Sequence, residues 1–184
     1  MRRCDRCPLH RTRTNAVPGA GPATATVVFI GEAPGRQEDL RGEPFVGRAG
    51  QVFNGLLDSI GLTRRDVYIT NLVKSRPFIG PPPGRNRNPS RDEIAACMPW
   101  LDEQLAIIQP QVVVTLGGFA LRYVAPKADL GKVHGTVIDH EAFVVVPLYH
   151  PAMARYGRRW TVTLRRDFKR LAGILEGGHR RPEN

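Results

Sequence analysis

Polar residues able to hold and orient a small ligand follow several short apolar runs of this sequence. Gly31 and Glu32 follow the first run, Asn71 ends the second, and His150 comes shortly after the fourth. An asparagine amide offers one acceptor and two donors, and a histidine can donate to an oxygen that gains negative charge. Each residue alone is more often structural. Their positions at the ends of separate runs predict one shared ligand site.

The long loop after the first run adds candidates that have two interpretations each. Phe45 lies in a glycine-flanked segment, where its ring can stack on a flat ligand or fill the core. The carboxylates of Glu32, Glu38 and Asp39 can orient water or stabilise positive charge on a sugar, or they are solvated loop charges. The residues themselves leave both interpretations open.

Three cysteines form a separate candidate site. Cys4 and Cys7 have the spacing of a chelate, and Cys97 lies on a predicted helix far along the chain. We expect a cytoplasmic protein, where thiols stay reduced, so metal binding, catalysis or core packing is favoured over disulfides. Two close cysteines and a distant one suit zinc or an iron–sulfur cluster, but three thiolates are one short of a full set.

The charge of the chain favours a polyanionic partner. The formal net charge is +10, and only four of the 27 basic residues are lysines. The planar guanidinium of arginine suits phosphate because it can donate two parallel hydrogen bonds. An arginine-rich codon usage explains the same excess equally well. No apolar run approaches the ~20 residues that span a bilayer, and no secretory signal is visible, so we expect no membrane partner.

The elements that must position these residues alternate along the chain. Four β-branched apolar runs predict buried strands, and amphipathic stretches predict helices, one of them beginning with the capping box of Ser90 and Glu93. We therefore predict an α/β fold, a three-layer αβα sandwich with a central four-stranded parallel sheet that binds ligands beyond its carboxyl ends. The predicted strands are 26–30, 67–70, 112–116 and 143–148, and the predicted helices are 49–60, 90–109, a short one ending near 124, and 160–175.

We interpret the chain as a single domain, 1–184. The remaining segments are an irregular arm at 1–25, long loops at 31–47 and 75–89, and a frayed tail at 176–184. Long ordered loops in compact domains are usually functional, so we expect the loop at 31–47 to have a functional role.

The combined segments resemble the family 4 uracil-DNA glycosylases, which carry an iron–sulfur cluster. The similarity extends from Cys4 to about Leu175, and the order and spacing of the segments carry it. The resemblance implies the uracil-DNA glycosylase fold and hydrolysis of the base–sugar bond of deoxyuridine flipped out of DNA, which initiates base excision repair. The matching segments are Cys4–Leu9, Gly31–Asp39, Gly42–Gly50, Thr70–Lys74, Asn86–Pro89, Ala96–Cys97 and His150–Ala152.

The resemblance also implies roles for individual residues. Phe45 stacks on uracil, Asn71 reads its edge, and His150 stabilises the departing base anion. Ala33 stands where better-known uracil glycosylases have an aspartate, so we expect electrostatic stabilisation to matter more than a general base. The implied uracil-binding residues are Gly31, Glu32, Ala33, Phe45, Asn71 and His150; the implied catalytic residues are His150, Glu38 and Glu32; the implied DNA contacts are Arg48, Arg76, Arg87, Met153 as a wedge and Arg155 on phosphate.

A structural [4Fe–4S] cluster held by Cys4, Cys7 and Cys97 is implied as well. Where the family has a fourth cysteine, this chain has Ser75. The serine oxygen, a water or another side chain can complete the ligand set, and a three-iron cluster or loss of the cluster are the alternatives.

The expected activity is monofunctional. A related group bonds covalently to the abasic sugar through a histidine, and Asn86 stands at the corresponding position, so ordinary turnover is predicted. Two alternatives stay open, a glycosylase for hypoxanthine or xanthine and a catalytically inactive DNA-binding relative. We expect a monomer that binds uracil-containing DNA in a prokaryotic cytoplasm, associated with the nucleoid.

Overall fold

A mixed sheet of five strands forms the centre of the protein, in a computed structural model that describes residues 1–177. The order of its strands is β2-β1-β5-β7-β6, and the first four run parallel. β6 is antiparallel to β7 and closes one edge. The strands are β1 Val27–Gly31, β2 Tyr68–Asn71, β3 Phe78–Ile79, β4 Arg85–Asn86, β5 Val112–Leu116, β6 Ile138–Asp139 and β7 Val144–Leu148.

Helices cover both faces of this sheet, which confirms the predicted three-layer sandwich. On one face Phe29 packs with Phe53 of α2 and Phe168 of α6. On the other face Val28 and Ile30 belong to a second core, to which α3 and α4 contribute. The helices are α1 Arg36–Arg41, α2 Arg48–Asp58, α3 Arg91–Ile108, α4 Gly118–Val124, α5 Leu130–Val133 and α6 Arg158–Glu176, with 3-10 turns at Pro8–Arg11 and Pro151–Tyr156.

The register of the parallel strands brings their carboxyl ends to one edge of the sheet. Gly31 at the end of β1 pairs with Asn71 at the end of β2. Leu116 at the end of β5 pairs with Leu148 at the end of β7. All five residues of β1, β5 and β7 are buried, which explains why these strands read as continuous apolar runs.

Several segments differ from the expectation. The four predicted parallel strands are all present, and the sheet has in addition the two-residue edge strand β6, which the sequence did not predict because it is fixed by pairing with β7. The expected loop at 75–89 contains the hairpin of β3 and β4, and the expected loop at 31–47 contains α1. Of the predicted tail, Glu176 ends α6 and 178–184 lie outside the described residues.

No helix within residues 1–177 combines the length and the apolar character needed to cross a membrane.

Candidate functional site

Four of the predicted site residues gather at the carboxyl edge of the sheet. A Cβ added to Gly31 would lie 2.3 Å from Asn71 Oδ1 and 2.8 Å from Phe45 Cζ. The rings of Phe45 and His150 are stacked, with centroids 5.5 Å apart and planes 28° apart. We call Gly31, Phe45, Asn71 and His150 the strand-end pocket. Glycine is needed at position 31 because any side chain would collide with the groups around it.

The backbone of Phe45 is held in a conformation that bulky residues avoid. Its φ is 53°, and a Cβ on Gly50 would lie 1.9 Å from the Phe45 carbonyl oxygen, so the start of α2 packs directly on this peptide. Arg64 donates from Nη1 to the Phe45 carbonyl at 3.1 Å and from Nη2 to the Pro44 carbonyl at 2.7 Å. The fork of Arg64 therefore fixes the loop that presents the aromatic ring.

The tautomer of His150 is set by its own turn. Nδ1 accepts a hydrogen bond from the backbone N–H of Ala152 at 3.1 Å, so the proton of the neutral ring lies on Nε2. Burial lowers the pKa of His150 to about 4, and the nearby carboxylate of Glu38 opposes this shift. At neutral pH the ring is an uncharged donor.

Asn71 has an anchored backbone and an available side chain. Its exposure is 2%, and within residues 1–177 no group hydrogen-bonds to its side-chain amide. Its carbonyl accepts from Lys74 Nζ at 2.7 Å. The same nitrogen donates to Thr70 Oγ1 and to Gln104 Oε1, each at 2.7 Å, so three acceptors surround it, while burial lowers the pKa of Lys74 to about 7.

The Glu38 carboxylate ties the Phe45 loop to α1. Its Oε1 accepts from the backbone N–H groups of Val46 at 2.9 Å and Gly47 at 2.7 Å. Its Oε2 lies 2.8 Å from the position that a Cβ on Gly35 would occupy. A carboxylate that the loop backbone holds in this way has a fixed direction and places negative charge near His150.

Glu32 and Ala33 lie on the first loop beside the pocket. Burial raises the pKa of Glu32, and the positive charge of Arg122 opposes this shift. The Glu32 carbonyl accepts from the N–H of Val73 at 3.1 Å, which joins this loop to the segment after β2. Ala33 packs against the second core and brings no acidic group to the site.

The predicted DNA contacts divide into two groups. Arg48 and Arg155 are exposed, and Met153 is half-buried on the 3-10 turn after His150. Arg76 is 4% exposed, and Arg87 forms a two-pronged ion pair with Glu93 at 2.6 and 2.8 Å. The latter two arginines therefore brace the segment around β3 and β4 rather than lie open on the expected DNA surface. Sequence alone does not reveal this, because both depend on tertiary partners.

The three cysteines are neighbours. Cys97 is buried in the second core and Cys7 packs against that core. Burial raises the pKa of Cys97, and negative charge on Cys4 or Cys7 would raise it further. The N–H of Lys74 donates to Cys97 Sγ at 3.2 Å, and the indole of Trp100 donates to Cys4 Sγ at 3.3 Å. We call Cys4, Cys7 and Cys97 the cysteine site.

Ser75 is buried beside the cysteine site, and Arg13 Nη1 donates to its Oγ at 3.2 Å. In residues 1–177 no three His, Cys, Asp or Glu side chains are arranged as a metal-binding group. The residues nevertheless suit a cluster chemically, since sulfur ligands accept hydrogen bonds from N–H groups of the kind given by Lys74 and Trp100. The cluster therefore stays a prediction.

The sequence did not reveal two basic side chains that hold segments of the site in place, Arg64 and Lys74. Arg64 reaches the Phe45 loop across 19 residues of sequence, and Lys74 lies inside the protein, where a lysine is rarely found. The pattern around Arg64 gives no indication of its partner. For Lys74, its place directly after an apolar run was the available clue.

The fold and the site together define a three-layer α/β protein that gathers aromatic and polar side chains at the carboxyl edge of its sheet. The sequence profile of the uracil DNA glycosylase superfamily matches residues 18–172. A Type-4 uracil-DNA glycosylase from Archaeoglobus fulgidus is 43% identical over 180 residues, which cover 93% of this chain and 87% of that protein. The chain belongs to the uracil DNA glycosylase superfamily.

Two further relatives give the range of similarity. A Type-4 uracil-DNA glycosylase from Thermotoga maritima is 44% identical over 155 residues, covering 83% of this chain and 78% of that protein. A Type-5 uracil-DNA glycosylase from Pyrobaculum aerophilum is 31% identical over 177 residues, covering 85% of this chain and 75% of that protein. The similarity to the Type-4 proteins is thus the higher of the two.

Proposed function

We propose that the protein is a monofunctional uracil-DNA glycosylase that hydrolyses the N-glycosidic bond of deoxyuridine flipped out of DNA. The observation that carries this proposal is the fixed tautomer of His150, whose Nδ1 accepts from Ala152. Nε2–H can then donate to uracil O2 while negative charge develops on the leaving base. A neutral donor held in place by its own backbone costs no reorganisation during the reaction.

The base is selected by Asn71. Its amide can accept from uracil N3–H and donate to O4, whereas the amino group of cytosine would meet the amide donor. No described protein group occupies this amide, and its backbone is held by Lys74. A polar site of this type rejects a mismatched base strongly, because a mismatch leaves a buried group unpaired.

Phe45 stacks on the base, and Gly31 and Ala33 leave room for it. Because no acidic side chain stands at position 33, a water molecule would not be activated by a strong base there. The carboxylates of Glu38 and Glu32 instead stabilise the positive charge that develops on the sugar, and Glu38 helps to orient water. With no covalent intermediate on the protein, turnover ends with an abasic site for base excision repair.

DNA approaches through the exposed residues around the pocket. Arg48 at the start of α2 and Arg155 after His150 bind phosphate, and Met153 fills the gap left in the base stack. The net charge of +10 supports binding to the polyanion. We expect the protein to act as a monomer.

Cys4, Cys7 and Cys97 would hold an iron–sulfur cluster, and Ser75 is the residue that would complete its ligand set. The cluster would supply a covalent cross-link between the N-terminal arm and α3. Lys74 and Trp100 would donate to its sulfur ligands, and Arg13 would hold the Ser75 oxygen in place.

A single-turnover assay with labelled oligonucleotides tests the activity. Single strands that contain one uracil, hypoxanthine, xanthine, thymine or cytosine are incubated with excess protein and then cleaved with alkali at abasic sites. We expect cleavage only at uracil. Cleavage only at the deaminated purines would replace the proposed substrate, and tight binding without any cleavage would indicate an inactive DNA-binding protein.

A further inference from the structure

The hairpin 78–86, formed by β3 and β4, is built around a buried guanidinium. Arg76 donates from Nε to Asn86 Oδ1 at 2.6 Å, from Nη1 to the Pro83 carbonyl at 2.8 Å and from Nη2 to the Gly84 carbonyl at 3.0 Å. Its guanidinium carbon lies 4.8 Å from the centre of the Phe78 ring. The hairpin therefore has a defined shape, unlike a loop that lacks internal contacts.

The hairpin stands at the rim of the strand-end pocket. Asn86 Nδ2 lies 3.3 Å from the position of a Cβ on Gly35, and Glu38 Oε2 lies 2.8 Å from the same point. Gly35 ends the loop that begins at Gly31 and precedes α1. A nucleic acid strand that delivers a base to the pocket would pass this rim.

The outward side of the hairpin combines an apolar tip with positive charge. Ile79 is 48% exposed and pairs directly opposite Arg85, which is also exposed. The three prolines of the turn, 81–83, are exposed as well. Within the hairpin 78–86, Arg85 is the one charged residue of the sequence, and there is no carboxylate. An exposed apolar side chain beside a cation is the combination that proteins use to wedge into a base stack and hold its phosphates.

We propose that the hairpin 78–86 is a second DNA-contact element, in which Ile79 packs against the base or sugar beside the flipped nucleotide and Arg85 binds a phosphate. The occupant is DNA rather than a protein because the segment has no acidic residue and its apolar surface is confined to the tip. This inference rests on the proposed function.

The first test measures the charge contribution of Arg85. Binding of wild type, Arg85→Gln and Arg65→Gln to a fluorescent duplex without uracil is followed by anisotropy over a range of salt concentrations. Arg65 is an exposed arginine before β2, at the opposite end of the strand from Asn71, and serves as the matched control. We expect Arg85→Gln to raise Kd about three- to tenfold and to reduce the salt slope by about one, with Arg65→Gln unchanged.

The second test measures how much the Ile79 side chain contributes to uracil release from duplex DNA. Single-turnover uracil release by Ile79→Ser and Ile79→Thr is compared on duplex and single-stranded DNA, and thermal melting checks that both variants fold. We expect a loss of about tenfold on the duplex and almost none on the single strand, because only the duplex must be unstacked.

The outcomes separate this inference from the proposed function. Wild-type binding and salt dependence for Arg85→Gln, or equal losses on both substrates for the Ile79 variants, would overturn the DNA role of the hairpin. If the wild type released no uracil, the proposed function would fail, while the binding experiment on uracil-free DNA would still decide whether the hairpin contacts DNA.

Discussion

The strand-end pocket and the cysteine site lie on either side of Lys74 and are built in different ways. The pocket takes its residues from the ends of sheet strands and the loops that follow them, and backbone hydrogen bonds orient its polar atoms. The cysteine site brings an N-terminal arm against α3 and contains three free thiols. The sheet thus fixes the positions of the pocket residues, whereas the cysteine site depends on packing between the arm and α3.

Lys74 is the physical link between the two regions. Its ammonium donates to the Asn71 carbonyl in the pocket, and its backbone N–H donates to Cys97 Sγ in the cysteine site. Changes in the pocket should therefore alter catalysis with little effect on stability. Changes in the cysteine site should do the reverse.

The largest effect is expected for His150→Ala. Removing the donor to uracil O2 should slow single-turnover uracil release by roughly 10²–10³-fold, as loss of one oxyanion donor commonly does. The melting temperature should change little. A variant that releases uracil at the wild-type rate would remove His150 from the mechanism.

The second largest effect is expected for Asn71→Asp, which should slow uracil release on the order of 10²-fold. The amide group that donates to uracil O4 becomes a carboxylate oxygen, which repels O4. Discrimination against cytosine should weaken at the same time, because the carboxylate can accept from its amino group. The measurement compares rates on uracil and cytosine oligonucleotides. If the ratio of the two rates matched that of the wild type, Asn71 would not select the base.

Arg64→Met should raise KM about tenfold with a smaller change in kcat. Arg64 positions the loop of Phe45, and the Phe45 ring would stack on the base in both the ground state and the transition state. Arg64→Lys should recover part of the loss, because one amine can reach one of the two carbonyls. Arg65→Met is the control and should behave as the wild type. A lysine variant as impaired as the methionine variant would argue against positioning through these carbonyls.

Ser75→Cys should act on stability alone. A fourth thiolate should increase iron and sulfide content and raise the melting temperature by about 2–4 °C for each 1 kcal/mol gained. The rate of uracil release should stay within about twofold of the wild type. Ser75→Ala, which adds no thiol, is the matched control, and a change in rate without a change in stability would reverse the assignment of roles.

The smallest effect is expected from pH. Because burial lowers the pKa of His150 to about 4, its neutral form persists as the pH falls from 8 to 5, and no step should occur near the ordinary histidine value of about 6.5. Below that range protonation of Nδ1 removes the acceptor for the Ala152 N–H, and the rate should decline. The measurement is the single-turnover rate of uracil release from pH 8 down to below pH 5. A step in this rate near pH 6.5 would contradict a neutral, buried His150 ring.

The sequence by itself determined the features that are local. β-branched runs predicted the four parallel strands, and the polar residues after them predicted the site of Asn71 and His150. Strand ends converge because parallel strands have one direction, so spacing along the chain is enough to predict their meeting.

The tertiary structure alone decided the features that depend on distant partners. The sequence does not distinguish the roles of Arg64 and Arg76. Arg64 donates to the Phe45 carbonyl and fixes that loop, whereas Arg76 donates to the Pro83 carbonyl inside the hairpin 78–86. The edge strand β6 exists only through its pairing with β7. The role of a guanidinium depends on the acceptors that it reaches, and a two-residue strand forms only where a neighbouring strand pairs with it. Neither the role nor the strand can therefore be inferred from the residues beside it in the chain.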